Sequence, residues 1–226
     1  MEELRRIPVL TVRFQNAITL SELPLFRGAV ISKVPEDTTL FHNHLQDSFR
    51  YRYPLIQYKR IGGKAAVVCI GEGTDAIGQF FANADFDLQI GSRRETFRVE
   101  QVIPDRCLIQ IWEHTFRYTC RKWLPLNQTN YDTYMHLEGV AERALFLQKI
   151  LTGNILSMCT GLGVQIEKNI LCEVTDISEM DIYRYKGVRM AGFDIEFKSN
   201  LSMPDYVGLG KGVSLGFGMI HQTRTT

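Results

Sequence analysis

The sequence predicts an α+β chain of two tandem ferredoxin-like (RRM-like) domains, the second carrying a C-terminal glycine-rich loop. Three observations lead there. Hydrophobic periodicity switches between alternation and helical spacing in the order β-α-β-β-α-β through the first hundred residues, which is the ferredoxin-like unit. Beyond Pro104-Asp105 the order begins again as β-α-β-β. The chain has 226 residues, 45% of them hydrophobic, enough for two cores of roughly 100 residues each.

Ile7 to Phe14 alternates and reads as a strand. A helix is expected from about Ser21, its N-cap, with Pro24 in the first turn, where amide hydrogens have no intrahelical partner to lose. Leu23, Phe26, Val30 and Val34 then share a face, and Pro35 ends the helix. Glu36 to Ser48 is polar and reads as a loop. Phe49 to Arg60 and Lys64 to Ile70 are strands joined through Gly62-Gly63, since glycine reaches the positive φ of tight hairpin turns. Thr74 to Ala82 has the spacing of a short helix, and Phe86 to Ile90 and Thr96 to Ile103 close the first domain, residues 1–104. In the second domain, 105–226, Leu108 to Tyr118 reads as a strand. Val140 to Met158 reads as a helix with Val140, Ala144, Leu147 and Leu151 on one stripe. Ile170 to Ile177 and Met190 to Phe197 are strands, with a further strand or turn around Asp181 to Gly187. A glycine-rich loop stands where a second helix would be expected, before a last strand, Ser214 to Ile220.

Twenty-six basic and 25 acidic side chains leave a net charge of +1, so any grip on nucleic acid must come from local clusters. The five cysteines are odd in number and widely spaced. That excludes a disulfide framework or a Cys-x-x-Cys zinc site and points to free thiols in a reducing compartment. No apolar run approaches the roughly 20 residues of a membrane helix, and no signal-peptide stretch opens the chain, so a cytoplasmic protein without membrane attachment is expected.

Two stretches could carry chemistry. In "LFHNHLQDSFRYRYP", His42 and His44 precede alternating Arg50, Tyr51, Arg52 and Tyr53. Three readings stand. A metal site would need more ligands than H-x-H and Asp47 supply. An acid/base pair suits RNA, which brings its own 2′-hydroxyl nucleophile and needs a base, an acid and a nearby cation such as Lys59. The third reading is a solvated loop beside an edge strand. In "VGLGKGVSLGFGMI", Gly208, Gly210 and Gly212 surround Lys211. Bare amides and one cation can close on an anion, or the glycines can serve tight backbone packing. The spacing is neither that of a P-loop nor that of a dinucleotide fingerprint. Basic residues with interleaved aromatics recur in "HTFRYTCRKW", while Arg143, Lys149, Arg184, Lys186 and Arg189 read equally well as solvation.

Together "LFHNH", "FRYRYPLIQYKRIGGKAAVVCIGEGTDAI" and the terminal "GLGKGVSLGFGMI" resemble the CRISPR repeat-RNA processing endoribonucleases of the RAMP superfamily. The resemblance implies His44, or its neighbour His42, as general base or acid. Tyr51 would orient or protonate, and Lys59 would stand beside the phosphate. Lys211 with the amides of Gly208, Gly210 and Gly212 would hold repeat RNA or support the cleft. Arg50, Arg52, Arg121, Lys122 and Arg189 are further RNA-binding candidates by charge and pattern. The implied reaction needs no cofactor and no metal, and leaves a 2′,3′-cyclic phosphate and a 5′-hydroxyl. CRISPR repeat RNA is the implied partner, with a homodimer or a CRISPR effector complex as further associations. A non-catalytic RNA-binding subunit of the same fold is the alternative.

Overall fold

The computed structural model describes residues 6–34, 53–83 and 85–223. Its backbone contacts divide into two compact units, Met1–Cys107 with Ser214–Gly216, and Leu108–Val213 with Phe217–Thr226.

The first unit is built from β1 (Arg6–Ala17), α1 (Leu23–Ile31), β2 (Ile56–Ile61), β3 (Lys64–Ile70), α2 (Gly73–Asn83), the short pair β4 (Asp87–Ile90) and β5 (Arg93–Thr96), and β6 (Val99–Leu108). Its sheet runs β2-β3-β1-β6, so β1 lies between the third strand and the last, as a split β-α-β unit requires. β1 and β3 are antiparallel, with Val12 opposite Val67. One face of this sheet supplies Val12, Phe14, Tyr58, Ala65, Val67 and Cys69 to a core closed by Leu23, Phe26 and Val30 of α1 and Ile77 and Phe80 of α2. Phe26 stacks on Phe97 with ring centres 5.3 Å apart. Residues 214–216 add to this sheet beside β2: Tyr58 N–H donates to Ser214 O at 2.9 Å, and Tyr58 bridges Leu215 in parallel.

Ser21 does not cap α1. The N-cap is Glu22, which makes no side-chain cap hydrogen bond, because its carboxylate accepts instead from the N–H and hydroxyl of Thr19 at 2.8 and 3.0 Å. Those bonds hold the Glu22 carboxyl below its usual pKa, the Thr19 backbone contributing most. Pro24 sits in the first turn as expected. The helix stops at Ile31 rather than running to Pro35, although Val34 is still buried.

The second unit contains β7 (Ile111–Trp123), α3 (Gln128–His136), α4 (Val140–Gly161), β8 (Cys172–Ile177), β9 (Asp181–Tyr185), β10 (Val188–Leu201) and β11 (Met219–Thr223). The sheet order β11-β7-β10-β8 places last, first, third and second strands as in the first unit, with β9 paired to β10 as an appended hairpin. Leu147, Leu151, Ile155 and Met158 form the buried stripe of α4. Val140 is 82% exposed and stands outside that stripe, in the helix's first turn. The expected last strand, Ser214 to Ile220, moves to Met219–Thr223 because Gly216 and Gly218 take φ of 82° and 61°, which an extended strand does not accommodate. All five cysteines are free thiols. No helix among the described residues is long and apolar enough to cross a membrane.

Candidate nucleic-acid interface

The hairpin of β9 and β10 turns through Lys186 and Gly187, with φ of 49° and 79°. Positive φ at both central residues is the turn whose twist suits a two-residue hairpin loop. The register puts Tyr185 opposite Val188, Arg184 opposite Arg189 and Tyr183 opposite Met190. Side chains alternate between faces, so Arg184 and Arg189 share one face. On the other, the rings of Tyr183 and Tyr185 meet Phe217 edge-on at 5.9 and 5.7 Å. Burial, followed by the nearby charges of Asp181 and Asp194, pushes the Tyr183 hydroxyl up to about 12, so it stays protonated.

Like charges directly opposite on a ribbon repel. Arg184 and Arg189 are exposed, and neither joins an ion pair among the described residues, whose bridges involve other cations. Lys186, exposed at the tip, lies over its neighbour's ring, 5.7 Å from the Tyr185 centre. Three cations thus stand on one finger with no ion-pair partner among the described residues, an arrangement that can take phosphates from outside.

The glycine-rich loop is arranged differently. Gly208 is buried and bridges Met219. Gly210 holds φ of 82°, and a Cβ there would lie 2.9 Å from Trp123 Nε1, the nitrogen that donates to Asn154 Oδ1 at 2.9 Å. A Cβ on Gly212 would press on the Phe217 ring at 2.8 Å. The amides of Leu209, Lys211, Phe217 and Gly218 donate to Gly218, Leu124, Gly212 and Lys122 carbonyls. The loop is close backbone packing beneath Phe217, the residue against which the hairpin rings rest. Lys211 is exposed, but its Nζ donates to Leu126 O at 3.3 Å, and partial burial draws its ammonium below the usual lysine pKa.

The remaining sequence-predicted residues scatter. Arg121 and Lys122 converge on one carboxylate: Arg121 Nη1 donates to Asp194 Oδ2 at 3.2 Å and the Lys122 N–H to Asp194 Oδ1 at 2.7 Å. Lys59, expected to stand beside a phosphate, has no exposed surface; strand alternation puts it with Gln57 on the face of β2 opposite Tyr58 and the helices. His42, His44, Arg50, Tyr51 and Arg52 lie outside the described residues, in the stretch of sequence between α1 and β2. Among the described residues no three His, Cys, Asp or Glu side chains gather to hold a metal ion. The opposition of Arg184 and Arg189 was legible in the sequence: "YRYKGVRM" read as a hairpin around Lys-Gly pairs the two arginines.

Comparison with known proteins gives two family matches in sequence, the Cas6b N-terminal domain over residues 5–106 and the Cas6b C-terminal domain over residues 110–223. A Cas6b crystal structure is 26% identical with a TM-score of 0.87, covering 96% of this chain and 100% of the other. A second, described as the CRISPR RNA processing endoribonuclease Cas6b, is 24% identical with a TM-score of 0.73 over 96% and 100% of the two chains, a likeness of fold. The uncharacterized protein MJ0978 of Methanocaldococcus jannaschii is 38% identical over 98 residues, 43% of this chain and 65% of that relative's length.

Proposed function

Because the chain belongs to the Cas6b family, its two domain matches together spanning nearly the whole sequence, we propose that it is an endoribonuclease that cuts CRISPR repeat transcripts by attack of the substrate's own 2′-hydroxyl. The pair of adjacent domain matches carries this reading. The uncompensated cations of the β9–β10 hairpin support it, since they provide a local grip on phosphate in a chain with net charge of only +1.

In the proposed reaction the 2′-oxygen bonds to the adjacent phosphorus as its proton passes to a base. The bond from phosphorus to the 5′-oxygen breaks, and that oxygen takes a proton from an acid. The products are a 2′,3′-cyclic phosphate and a 5′-hydroxyl. His44 is the first choice for base or acid and His42 the second, because imidazole exchanges protons near neutral pH. Tyr51 orients or protonates, and Arg50 and Arg52 offer positive charge beside the RNA. Lys59, with no exposed surface, is assigned to holding the sheet rather than to touching phosphate. Arg184 and Lys186 join Arg189 on the RNA-holding surface.

The test is cleavage of repeat RNA by His44→Ala and His42→Ala, with binding measured in parallel. His44→Ala should lose about a hundredfold or more in rate while binding RNA normally, as expected of a general acid or base, and His42→Ala should lose less. Wild-type rates in both variants would rule out this site. Tight binding by the wild-type protein without any cutting would leave an RNA-holding subunit.

A further inference from the structure

On β11, His221 lies directly opposite Thr119 of β7, with Met219 opposite Arg121 and Thr223 opposite Arg117. Partners in an antiparallel pair point to the same side, and diagonal neighbours lie about 7–8 Å apart. His221 therefore stands between Arg117 and Arg121 on one sheet face, the face opposite Tyr118 and Cys120, which are buried at 1% and 0% exposure.

The imidazole is held from two directions. Its Nδ1 is 3.3 Å from Asp205 Oδ1, and that oxygen also accepts the Gln222 N–H at 2.7 Å, which fixes the carboxylate. The ring stacks on Tyr206 with centres 5.4 Å apart and planes 11° from parallel. Tyr206 takes φ of 65°, a left-handed conformation that non-glycine residues adopt only when the surroundings impose it; its N–H donates to Ile220 O at 2.8 Å. A carboxylate can only accept, so the tautomer with its proton on Nδ1 is the one that complements Asp205, and that tautomer presents Nε2 as an acceptor. The His221 side chain is 49% exposed. Arg117 is exposed and joins no ion pair among the described residues, while Arg121 shares Asp194 from a half-exposed position. Acidic groups also face this side: Glu196 on β10 is opposite Thr119 and diagonal to both arginines, Asp194 pairs with Arg121, and Glu173, paired with Lys198, and Asp176 lie beyond on β8.

We infer that His221, set in place by Asp205 and Tyr206, accepts a hydrogen bond from a ribose 2′-hydroxyl of bound RNA, with Arg117 and Arg121 contacting phosphates on either side. This rests on the proposed RNA substrate and adds a ribose-reading site on the outer face of the second sheet, separate from the hairpin. An oriented acceptor between two cations distinguishes RNA from DNA, because only RNA offers the 2′-hydroxyl donor. Asp205 and Tyr206 are positioning residues.

The experiment measures binding of a repeat RNA made uncleavable by 2′-deoxy at the scissile nucleotide, together with a series carrying one further 2′-deoxy at each position. One position of the series should weaken wild-type binding about fivefold, the worth of one hydrogen bond. His221→Ala should bind the parent RNA weaker by the same factor and be indifferent to that deoxy position. His221→Gln, which restores an acceptor, should regain sensitivity, and Arg117→Ala should lower the salt dependence of log K by about one phosphate contact. A His221→Ala protein that binds the parent RNA and every deoxy RNA as the wild type does would overturn the inference and leave the proposed function standing. A wild-type protein that does not bind repeat RNA would overturn both.

Discussion

The glycine-rich loop and the β9–β10 hairpin meet at Phe217, and they differ in how far their polar groups find partners within the fold. The loop, conspicuous for its glycines and one lysine, spends the amides of Leu209, Lys211, Phe217 and Gly218 on neighbouring carbonyls and places Gly210 against the Trp123–Asn154 hydrogen bond. The hairpin, an ordinary alternating stretch, pairs Arg184 with Arg189 across the ribbon and finds them no anion among the described residues. Glycine density reports how closely backbone must pass other atoms. Unmatched charge reports what a surface is waiting for.

The largest expected effect tests the structural half of this contrast. Gly210→Ala adds a Cβ at φ of 82° and 2.9 Å from Trp123 Nε1, which should cost about 3 kcal/mol and lower the unfolding temperature by roughly 10 °C. RNA affinity per folded molecule should be nearly unchanged below the transition; a protein of wild-type stability with weakened RNA binding would reverse the loop's role. Next come Arg184→Ala and Arg189→Ala, each expected to weaken repeat-RNA binding several-fold and to flatten the salt dependence by about one contact. Thermal stability should hold or rise slightly, because a like-charge pair is relieved. Loss of stability without loss of affinity would make the pair structural. Lys211→Ala should matter least, with affinity changing by less than about threefold, since its Nζ already donates to Leu126 O and an exposed contact of this kind is weak. An effect as large as that of Arg184→Ala would return the loop to the RNA-binding surface.

β1 was legible from its alternation, because Ile7 and Val9 are buried while Arg6 and Pro8 are exposed, and β3 as a continuous apolar run, because every residue from Ala65 to Ile70 is buried. α3 was not, because "QTNYDTYMH" buries only Tyr134 and so has no apolar stripe to detect. Its one signal was local: the Asn127 side chain accepts from the Asn130 N–H at 2.7 Å, an N-cap bond that the residue type alone allows. β5, "RRET", has no buried residue at all. Lys59 misled because a lysine near tyrosines reads as a surface cation, whereas the structure buries it completely. Tyr206 and His221 were invisible for a different reason: they are fifteen positions apart in sequence, and only the packing of β11 stacks them.

The most direct test of the account is cleavage of repeat RNA in EDTA, run beside the same RNA with a 2′-deoxy at the scissile nucleotide. Cutting of the first substrate to a 2′,3′-cyclic phosphate, with the second left intact, is the predicted result. Cutting of both, or cutting that EDTA abolishes, would contradict attack by the 2′-hydroxyl without metal.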